Sequence, residues 1–185
     1  MEKTQYINNM NKIDNSIKFV SINIGLVTIS DSRNEDNDKS GNLLKDKINN
    51  FGHKVYKKII IKDDLDLIKK TISDLTNDTK IDAIITTGGT GLTGRDSTPE
   101  AIIEMADKII DGFGELFRQL SYEKIGTSTI QSRALAGVIN NTYIFSLPGS
   151  PGACKDGWDL ILKYQLDIRH KPCNFIEIMP RLKEK

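Results

Sequence analysis

Short segments rich in valine and isoleucine alternate along this chain with segments that have the spacing of amphipathic helices. Strands are predicted over residues 19–30, 54–61 and 81–87, because β-branched residues favour extended backbone. Helical patterns separate these strands and follow the last of them. Regular alternation of this kind places helices on both faces of a mainly parallel sheet. The sequence therefore predicts the α/β class, as a three-layer α/β/α domain with a mainly parallel sheet.

The predicted helices have recognisable ends. Ser40 is the expected N-cap of a helix over residues 41–51, and Gly52 is its C-terminal glycine. A second helix follows Asp63-Asp64, because leucine and isoleucine then recur three or four residues apart. The remaining predictions are a helix with Thr98 as N-cap and Pro99 at its first position, helices over 112–122 and 128–136, a strand over 143–147, and a helix from Ser150-Pro151 to about residue 168.

One domain accounts for most of the chain. No repeat or linker interrupts the predicted elements, and 185 residues suffice for one sizeable core. We therefore expect a domain over residues 18–178, a polar, weakly ordered tail over 1–17 and a short C-terminal tail over 179–185. The N-terminal segment is rich in asparagine and lysine and has no apolar stretch of signal-peptide length.

Charge and apolar patterning argue against nucleic-acid and membrane partners. Lysine and arginine number 26 against 25 aspartates and glutamates, so no basic excess marks a nucleic-acid surface. The longest apolar runs are far too short to cross a bilayer. Cys154 and Cys173 lie far apart, which fits the reducing cytoplasm, and with only two histidines a dedicated zinc site is not expected. His170, between Arg169 and Lys171, is expected at a solvated helix end.

Ligands of open α/β sheets bind at the carboxyl ends of the parallel strands. Four predicted strand ends deliver polar or glycine-rich segments to that edge: residues 30–33, 63–64, 88–96 and 148–152. Each segment alone has the composition of an ordinary turn. Together they bring hydroxyls, carboxylates, an arginine and flexible backbone to one edge, which predicts a ligand site there.

The glycine-rich loop over residues 88–97 is the most informative of these segments. Glycines let backbone N–H groups turn toward an anion, and the helix beginning at Pro99 adds the positive end of its dipole. Carboxylates beside such a nest repel a phosphate unless a cation lies between them, so Asp96 and Asp63 together suggest Mg²⁺. Two simpler interpretations stay open: Asp63 as a charge at a helix N-terminus, and Asp96 as an Asx-turn residue.

Two familiar phosphate motifs nearly match this loop. Gly89-x-Gly91-x-x-Gly94 fits the dinucleotide fingerprint, which leaves a nicotinamide-dependent oxidoreductase as a rival class. However, this string follows the third predicted strand instead of the first, and Arg95-Asp96 separate it from the helix. A P-loop would need lysine and then serine or threonine where Arg95 and Asp96 stand.

The segment over residues 87–101, TGGTGLTGRDSTPEA, resembles the GGTG…RD.TPEA signature of the MoaB/MogA family. The similarity extends from about residue 20 to residue 175, and the C-terminal part resembles MoaB more than MogA. Further matching segments are residues 27–33, 112–118, 132–134 and 148–150. The resemblance implies the family's three-layer α/β fold. It also implies transfer of AMP from Mg·ATP to the terminal phosphate of molybdopterin, with release of pyrophosphate.

The same resemblance implies the residues of the site. Thr90 and Asp96 match positions in the pterin and nucleotide pocket, and Asp63 matches a second acidic position, with Asp64 as the adjacent alternative. In this view Asp63 and Asp96 are catalytic and hold Mg²⁺ against the ATP phosphates, while the backbone of residues 88–91 fixes the anionic pterin. The predicted ligand-binding residues are Ser30, Asp31, Gly88, Gly89, Thr90, Gly91, Arg95, Ser132, Pro148, Gly149 and Ser150.

A homo-oligomer is also expected. Phe113, Leu116, Phe117 and Ile125 lie in partly irregular segments and exceed what one small domain need bury. The family resemblance implies a homotrimer or a homohexamer. A non-catalytic pterin carrier or scaffold of the same family is the alternative function. The two filled acidic positions favour an enzyme, because a carrier needs no metal.

Overall fold

A six-stranded sheet forms the middle layer of the computed structural model, which describes residues 12–184. In chain order the strands are β1 (Lys12–Ile13), β2 (Asn23–Ile29), β3 (Lys54–Ile61), β4 (Ala83–Thr87), β5 (Lys108–Ile109), β6 (Leu135–Ile139), β7 (Thr142–Leu147) and β8 (His170–Lys171). The large sheet has the order β3-β2-β4-β7-β6-β5. Its first four strands run parallel, while β6 is antiparallel to β7 and β5 is antiparallel to β6. This arrangement confirms the predicted α/β class and the mainly parallel sheet.

Helices cover both faces of the sheet. They are α1 (Lys39–Phe51), α2 (Leu65–Thr76), α3 (Thr98–Met105), α4 (Asp111–Ile125), α5 (Pro151–Asp156), α6 (Lys163–Gln165) and α7 (Phe175–Ile178). Two 3₁₀ helices, Gly126–Gln131 and Met179–Lys183, and a π-helical segment, Gly157–Leu162, complete the elements between residues 12 and 184. Within this part of the chain, no helix is both long and apolar enough to cross a membrane.

Two apolar cores separate the three layers. One core packs Leu44 of α1 and Phe117 of α4 against the sheet, and the other packs Ile72 of α2 and Ile102 of α3 against the opposite face. Strand β4 lies between them, since Ala83 and Ile85 join the first core and Ile84 joins the second. A strand buried on both faces has a continuous apolar sequence, which is why β4 was predictable despite lacking alternation.

The predicted helix over residues 128–136 is wrong. Its first part is the 3₁₀ helix Gly126–Gln131, and its last residues begin β6. The reason lies in Asn140 and Asn141, whose φ angles of 48° and 61° form a left-handed two-residue connection between β6 and β7. Such a connection favours an antiparallel hairpin, and asparagine is one of the few residues that adopts it readily.

Several helix boundaries also differ from those expected. The N-cap of α1 is Asp38, whose carboxylate accepts from the Gly41 N–H, and Ser40 lies inside the helix. The residue before α3 is Ser97, so Thr98 is its first helical residue and Pro99 follows. The final long helix ends at Gln165 instead of residue 168 and contains the π-helical segment.

Both chain ends differ in part from the predicted tails. Residues 1–11 of the expected N-terminal tail, and Lys185, lie outside the described residues. Lys12 and Ile13, however, pair with Lys171 and His170 in a small antiparallel sheet. Because of this pairing His170 is buried and belongs to a strand, not to a solvated helix end. Near the C-terminus, a 3₁₀ helix over residues 179–183 packs Met179 and Leu182 against the first core.

Candidate functional site

A cleft of about 980 Å³ lies at the carboxyl ends of the parallel strands. One wall carries the segments that follow β2, β3, β4 and β7, and the facing wall carries the end of α4 and the 3₁₀ helix after it. Every residue that the sequence analysis selected lines this cleft: Ser30, Asp31, Asp63, Gly88, Gly89, Thr90, Gly91, Arg95, Asp96, Ser132, Pro148, Gly149 and Ser150. Segments separated by more than a hundred residues therefore meet at one sheet edge, as the topology requires.

The glycine-rich loop begins with two residues in the left-handed region. The φ angles are 102° for Gly88 and 64° for Gly89. A Cβ at Gly88 would lie only 2.1 Å from the carbonyl oxygen of Ile29, so no other residue fits there. Within residues 12–184 the backbone N–H groups of Gly89 and Thr90 have no acceptor, and both residues line the cleft. Such N–H groups suit an anionic ligand.

Hydrogen bonds connect the residues that follow β4 and β7 with the first turn of α1, and together they form the floor of the cleft. The Gly88 N–H donates to the Leu147 carbonyl at 3.0 Å, and the Thr87 hydroxyl donates to the Pro148 carbonyl at 3.0 Å. From α1, the Ser40 hydroxyl donates to the Gly149 carbonyl at 2.7 Å. The two glycine-containing turns that face the ligand space are thus held relative to each other by the protein itself.

Asp63 is a largely buried carboxylate at the base of the loop, with 8% of its surface exposed. Its Oδ1 accepts hydrogen bonds from the Ser97 N–H at 3.2 Å and from the Ser97 hydroxyl at 3.0 Å. Burial, reinforced by the negative charges of Asp96 and Asp31, raises the pKa of Asp63 despite these bonds. A cation beside Asp63 would relieve this repulsion.

The structure distinguishes Asp63 from its neighbour. Asp64 is the N-cap of α2, where its side chain accepts from the Leu67 N–H at 2.9 Å. Asp63 instead lines the cleft. Of the two adjacent carboxylates, Asp64 therefore serves the helix N-terminus, the role that had stayed open for Asp63.

Asp96 also lines the cleft and, in addition, stabilises its own loop. Its Oδ2 accepts from the Thr93 N–H at 2.9 Å and from the Thr93 hydroxyl. The hydrogen bond from the Thr93 side chain lowers the pKa of Asp96. A Cβ at Gly91 would come within 2.6 Å of the same carboxylate oxygen. The Asx-turn interpretation of Asp96 thus describes a real contact, and it is compatible with a charge directed at the cleft.

Arg95 pairs with an acid across the mouth of the cleft. It binds Asp31 through Nη2 at 2.8 Å and through Nε at 3.2 Å. Asp31 Oδ1 also accepts from the Asp63 N–H at 3.3 Å, so the arginine, the exposed acid and the buried acid form one chain of contacts. The hydrogen bond from Arg95 lowers the pKa of Asp31.

These carboxylates fit a divalent cation that arrives with its own phosphate ligands. No group of three or more histidine, cysteine, aspartate or glutamate side chains is arranged to hold a metal ion in the part of the chain that the structure describes. Mg²⁺ commonly needs only one or two carboxylates besides substrate phosphates, so Asp63 and Asp96 could hold it. Burial and the charges of Asp96 and Asp31 disfavour the ionised form of Asp63, and a cation would offset both effects.

The N-terminus of α3 contributes less than the sequence suggested. The Ser97 N–H donates to Asp63, and the Thr98 N–H donates to the Gly89 carbonyl at 3.0 Å. Pro99 has no N–H group. The first donors of this helix therefore stabilise the loop, and the glycine backbone remains the better candidate for anion binding.

Sequence reasoning missed a buried carboxylate in the wall of the cleft. Asp38 is fully buried and accepts from the Thr28 hydroxyl at 2.9 Å, from the Gly41 N–H at 2.9 Å and from Lys58 Nζ at 2.9 Å. Burial alone would raise the pKa of Asp38, but the hydrogen bonds from Lys58, Gly41 and Thr28 outweigh burial and lower it. The available signal was an aspartate three residues before Gly41, the spacing of a capping side chain.

The facing wall adds residues of mixed character that the sequence analysis did not select. Lys124 near the end of α4 pairs with Asp156 at the end of α5, and both line the cleft together with Phe117. Cys154 lies below the floor, fully buried against Thr87. Burial raises the pKa of its thiol to about 11, so it stays protonated and is not a nucleophile near neutral pH.

A three-layer α/β domain whose cleft joins a glycine-rich loop to the carboxylates of Asp63 and Asp96 has the architecture of a small-ligand-binding protein. Comparison with known sequences narrows this class of proteins. Residues 25–168 match the family described as "Probable molybdopterin binding domain". The chain is 45% identical over 160 residues to molybdenum cofactor biosynthesis protein B of Escherichia coli (strain K12), covering 86% of this chain and 94% of that protein. The corresponding Bacillus cereus protein is 47% identical over 131 residues, 70% of this chain and 78% of its own length.

Solved structures agree with these matches. A crystal structure of molybdenum cofactor biosynthesis protein B superposes with a TM-score of 0.81 at 38% identity, covering 90% of this chain and 98% of that one. The tungsten cofactor synthesizing protein MoaB from Pyrococcus furiosus superposes with a TM-score of 0.68 at 37% identity, covering 76% and 90%. The chain belongs to the MoaB/MogA family of molybdenum cofactor biosynthesis proteins.

Proposed function

We propose that this protein transfers AMP from Mg·ATP to molybdopterin, giving adenylylated molybdopterin and pyrophosphate. The observation that carries this proposal is the convergence in one cleft of Asp63, Asp96 and the free backbone N–H groups of Gly89 and Thr90. An anionic pterin suits the glycine backbone, and a metal-bound polyphosphate suits the two carboxylates. Both substrates would then lie at the same sheet edge.

The chemistry needs little covalent participation from the protein. An oxygen of the terminal phosphate of molybdopterin forms a bond to the α-phosphorus of ATP. The bond from that phosphorus to the bridging oxygen breaks, and pyrophosphate leaves with the electron pair. Position and charge neutralisation dominate such phosphoryl-group transfers. Magnesium would supply neutralisation of the polyphosphate charge when bound with ATP.

The chain's own residues account for positioning and for the remaining charge. Asp63 and Asp96 would hold the cation, and the hydrogen bonds from Ser97 and Thr93 fix the orientation of the two carboxylates. Arg95 would exchange its contact with Asp31 for a phosphate oxygen, because both partners are exposed and therefore held weakly. The free N–H groups of Gly89 and Thr90 would orient the pterin's phosphate.

The alternative is a pterin-binding or scaffold protein of the same family without adenylyl transfer. Such a protein needs the glycine backbone but gains nothing from an acid whose pKa is raised by burial and, to a smaller extent, by neighbouring acids. The acidic pair therefore favours the enzyme. The rival oxidoreductase is disfavoured by Gly94, where an added Cβ would meet nothing within 4 Å. The third glycine of the dinucleotide fingerprint is needed for close helix packing, which is absent at Gly94.

The adjacent acids Asp63 and Asp64 supply a matched test. We expect Asp63→Asn to lower single-turnover transfer of labelled AMP to molybdopterin by roughly 10²-fold, the scale of losing one electrostatic contact to the transition state. Asp64→Asn should retain transfer, because asparagine also caps helices well. Pterin affinity, measured on the same samples, should be similar in both variants. Normal pterin binding without AMP transfer in the wild-type protein would support the scaffold instead.

The proposal includes a cytoplasmic homotrimer or homohexamer. Two of the four residues expected at an interface, Phe113 and Phe117, are buried within the monomer and are excluded from that role. Leu116 and Ile125 are 41% and 55% exposed, and Ile130 on the adjacent 3₁₀ helix is 83% exposed. An apolar surface of this kind favours self-association. Light scattering that shows only monomer at micromolar concentration would reject it.

A further inference from the structure

Arg133 lies behind the glycine-rich loop, between the 3₁₀ helix Gly126–Gln131 and β6. Its Nε donates to the Gly91 carbonyl at 2.7 Å, and its Nη2 donates to the Asp96 carbonyl at 2.8 Å. Its Nη1 pairs with the Glu100 carboxylate of α3. One guanidinium therefore joins the two ends of the segment 91–96 and anchors both to the following helix.

This segment depends on the arginine more than the rest of the loop does. The preceding residues are held by the Gly88 N–H bond to Leu147 and by the Thr98 contacts to the Gly88 and Gly89 carbonyls. Between Gly91 and Asp96 the other bonds that hold the backbone are internal, from Thr93 to Asp96 and back. The Arg95 side chain also contacts Asp31 outside the loop, but both of these side chains are exposed. The spacing between the ends of the segment is thus set from outside by Arg133.

We propose that Arg133 is a positioning residue that holds Asp96 opposite Asp63 for binding of the metal–nucleotide substrate. This inference rests on the proposed function. Arg133 does not touch the ligand space itself: its neighbour Ser132 lines the cleft, and the guanidinium reaches the loop from behind. It acts through the position of the Asp96 backbone, while Gly89, whose N–H is free for an anion, is held independently by the contacts of Gly88 and Thr98.

The geometry of the contacts requires arginine. A planar guanidinium presents several N–H groups in fixed directions, and here three of its nitrogens reach three separate oxygens. A lysine ammonium keeps the charge but is a single point on a flexible chain, so it cannot hold both carbonyls at this spacing. Arg133→Lys therefore separates the positioning role from the effect of charge on the loop.

The control variant is Arg118→Lys. Arg118 is also partly buried and donates to a backbone carbonyl, that of Ala134 at 3.2 Å, but it makes no contact with the loop. A second variant, Glu100→Gln, removes the charge of one partner of Arg133 and leaves both carbonyl contacts. Neither variant should change hydrogen exchange of the loop. Both therefore show the effect of weakening a contact that does not position the loop.

The first measurement is hydrogen–deuterium exchange of peptides covering residues 88–98, which requires no activity. We expect Arg133→Lys to speed exchange about tenfold in residues 92–97, the effect of losing one or two hydrogen bonds. The second measurement is the affinity for the non-hydrolysable α,β-methylene-ATP in the presence of Mg²⁺. In Arg133→Lys this affinity should fall about tenfold, again the effect of losing one or two hydrogen bonds, while the affinity for molybdopterin stays unchanged. Turnover should fall by up to about 10²-fold, the scale of a misplaced catalytic group.

Unchanged exchange in Arg133→Lys, or faster exchange with unchanged nucleotide affinity, would overturn the positioning role. Equal loss of nucleotide and pterin affinity would also overturn it, because a general structural defect moves both. Failure of the proposed function gives a different result: wild-type protein that transfers no AMP. In that case exchange and nucleotide affinity still decide the role of Arg133, and if the wild type binds no nucleotide the positioning role falls with it.

Discussion

Arg95 and Asp31 meet through two hydrogen bonds, of 2.8 Å and 3.2 Å, across the mouth of the cleft. Both side chains are exposed, with 65% and 46% of their surfaces accessible, so the pair is held weakly in water. A phosphate oxygen competes well for an arginine in this position. The contact therefore keeps Arg95 near the ligand site without preventing its transfer to a substrate.

The first prediction concerns this pair. Arg95→Ala should raise the KM for Mg·ATP about tenfold, the loss expected for one charge-assisted hydrogen bond, while the thermal midpoint stays near that of the wild type. The KM of Arg95→Lys should lie between those of the wild type and Arg95→Ala, because lysine keeps the charge but loses the two-point contact. A large fall in thermal midpoint with unchanged kinetics would mean that the pair serves stability alone.

The second prediction separates the two roles of Asp96. Asp96→Asn keeps an oxygen for the Thr93 N–H but removes the charge, so AMP transfer should fall roughly 10²-fold with pterin affinity retained. Thr93→Val removes the hydroxyl contact and keeps the charge, and should cost at most about 1 kcal/mol of stability with turnover per folded molecule preserved. Single-turnover rates on both variants make the comparison. Unchanged turnover in Asp96→Asn would leave this residue with the turn alone.

The third prediction concerns pH. The pKa of Asp63 is raised by burial and by the charges of Asp96 and Asp31, and the proposed role requires its ionised form. Activity should therefore fall on the acid side at a higher pH than an ordinary aspartate would give. Removing the charge at position 96 lowers the pKa of Asp63, so the residual activity of Asp96→Asn should have its acid limb at lower pH. Coincident acid limbs in the two proteins would show that Asp63 does not control the profile.

The fourth prediction compares two glycines of the same loop. At Gly88 a Cβ would lie 2.1 Å from the Ile29 carbonyl oxygen and φ is 102°, whereas at Gly94 a Cβ would meet nothing within 4 Å. Gly88→Ala should lose at least about 1–3 kcal/mol of folding free energy, the cost of a strained backbone. Gly94→Ala should be neutral or gain up to about 1 kcal/mol. Denaturant unfolding measures both, and the reverse order would contradict the described loop geometry.

The fifth prediction concerns stability in acid. Burial lowers the pKa of His53 from 6.5 to about 4, with Phe19, Phe51 and Trp158 around the ring. Above pH 6.5 the imidazole is neutral in both states, so it adds no pH dependence. Between pH 6.5 and 4 the imidazole is protonated in the unfolded chain and neutral in the folded one. The free energy of unfolding therefore falls by about 3 kcal/mol as pH decreases.

Unfolding free energies of wild type and His53→Phe across this range test the assignment. The variant keeps an aromatic ring among its aromatic neighbours but loses the acceptor for the Ile22 N–H, so its stability at pH 7 should be lower. Its stability should also fall less between pH 6.5 and 4. Parallel curves for the two proteins would show that His53 is not the group responsible.

Local sequence signals predicted the parallel strands and the glycine-rich loop, because each depends on residues that are close in the chain. Strand β6 was not predicted, because its pairing with β7 depends on the left-handed turn at Asn140 and Asn141 more than on the residues of the strand itself. Asp38 was not predicted as the N-cap of α1, because Ser40, two residues later, is an equally good capping residue. The contacts of Arg133 with the loop could not be predicted from local sequence, because they join residues about forty positions apart.

Product analysis of the wild-type protein tests the central claim most directly. Purified protein is mixed with molybdopterin, Mg²⁺ and ATP that is labelled in its α-phosphate, and the products are separated. We predict labelled adenylylated molybdopterin and pyrophosphate in equal amounts, dependent on Mg²⁺ and strongly reduced in Asp63→Asn. Molybdopterin that binds to the protein and is recovered without label, with no pyrophosphate released, would contradict the proposed adenylyl transfer.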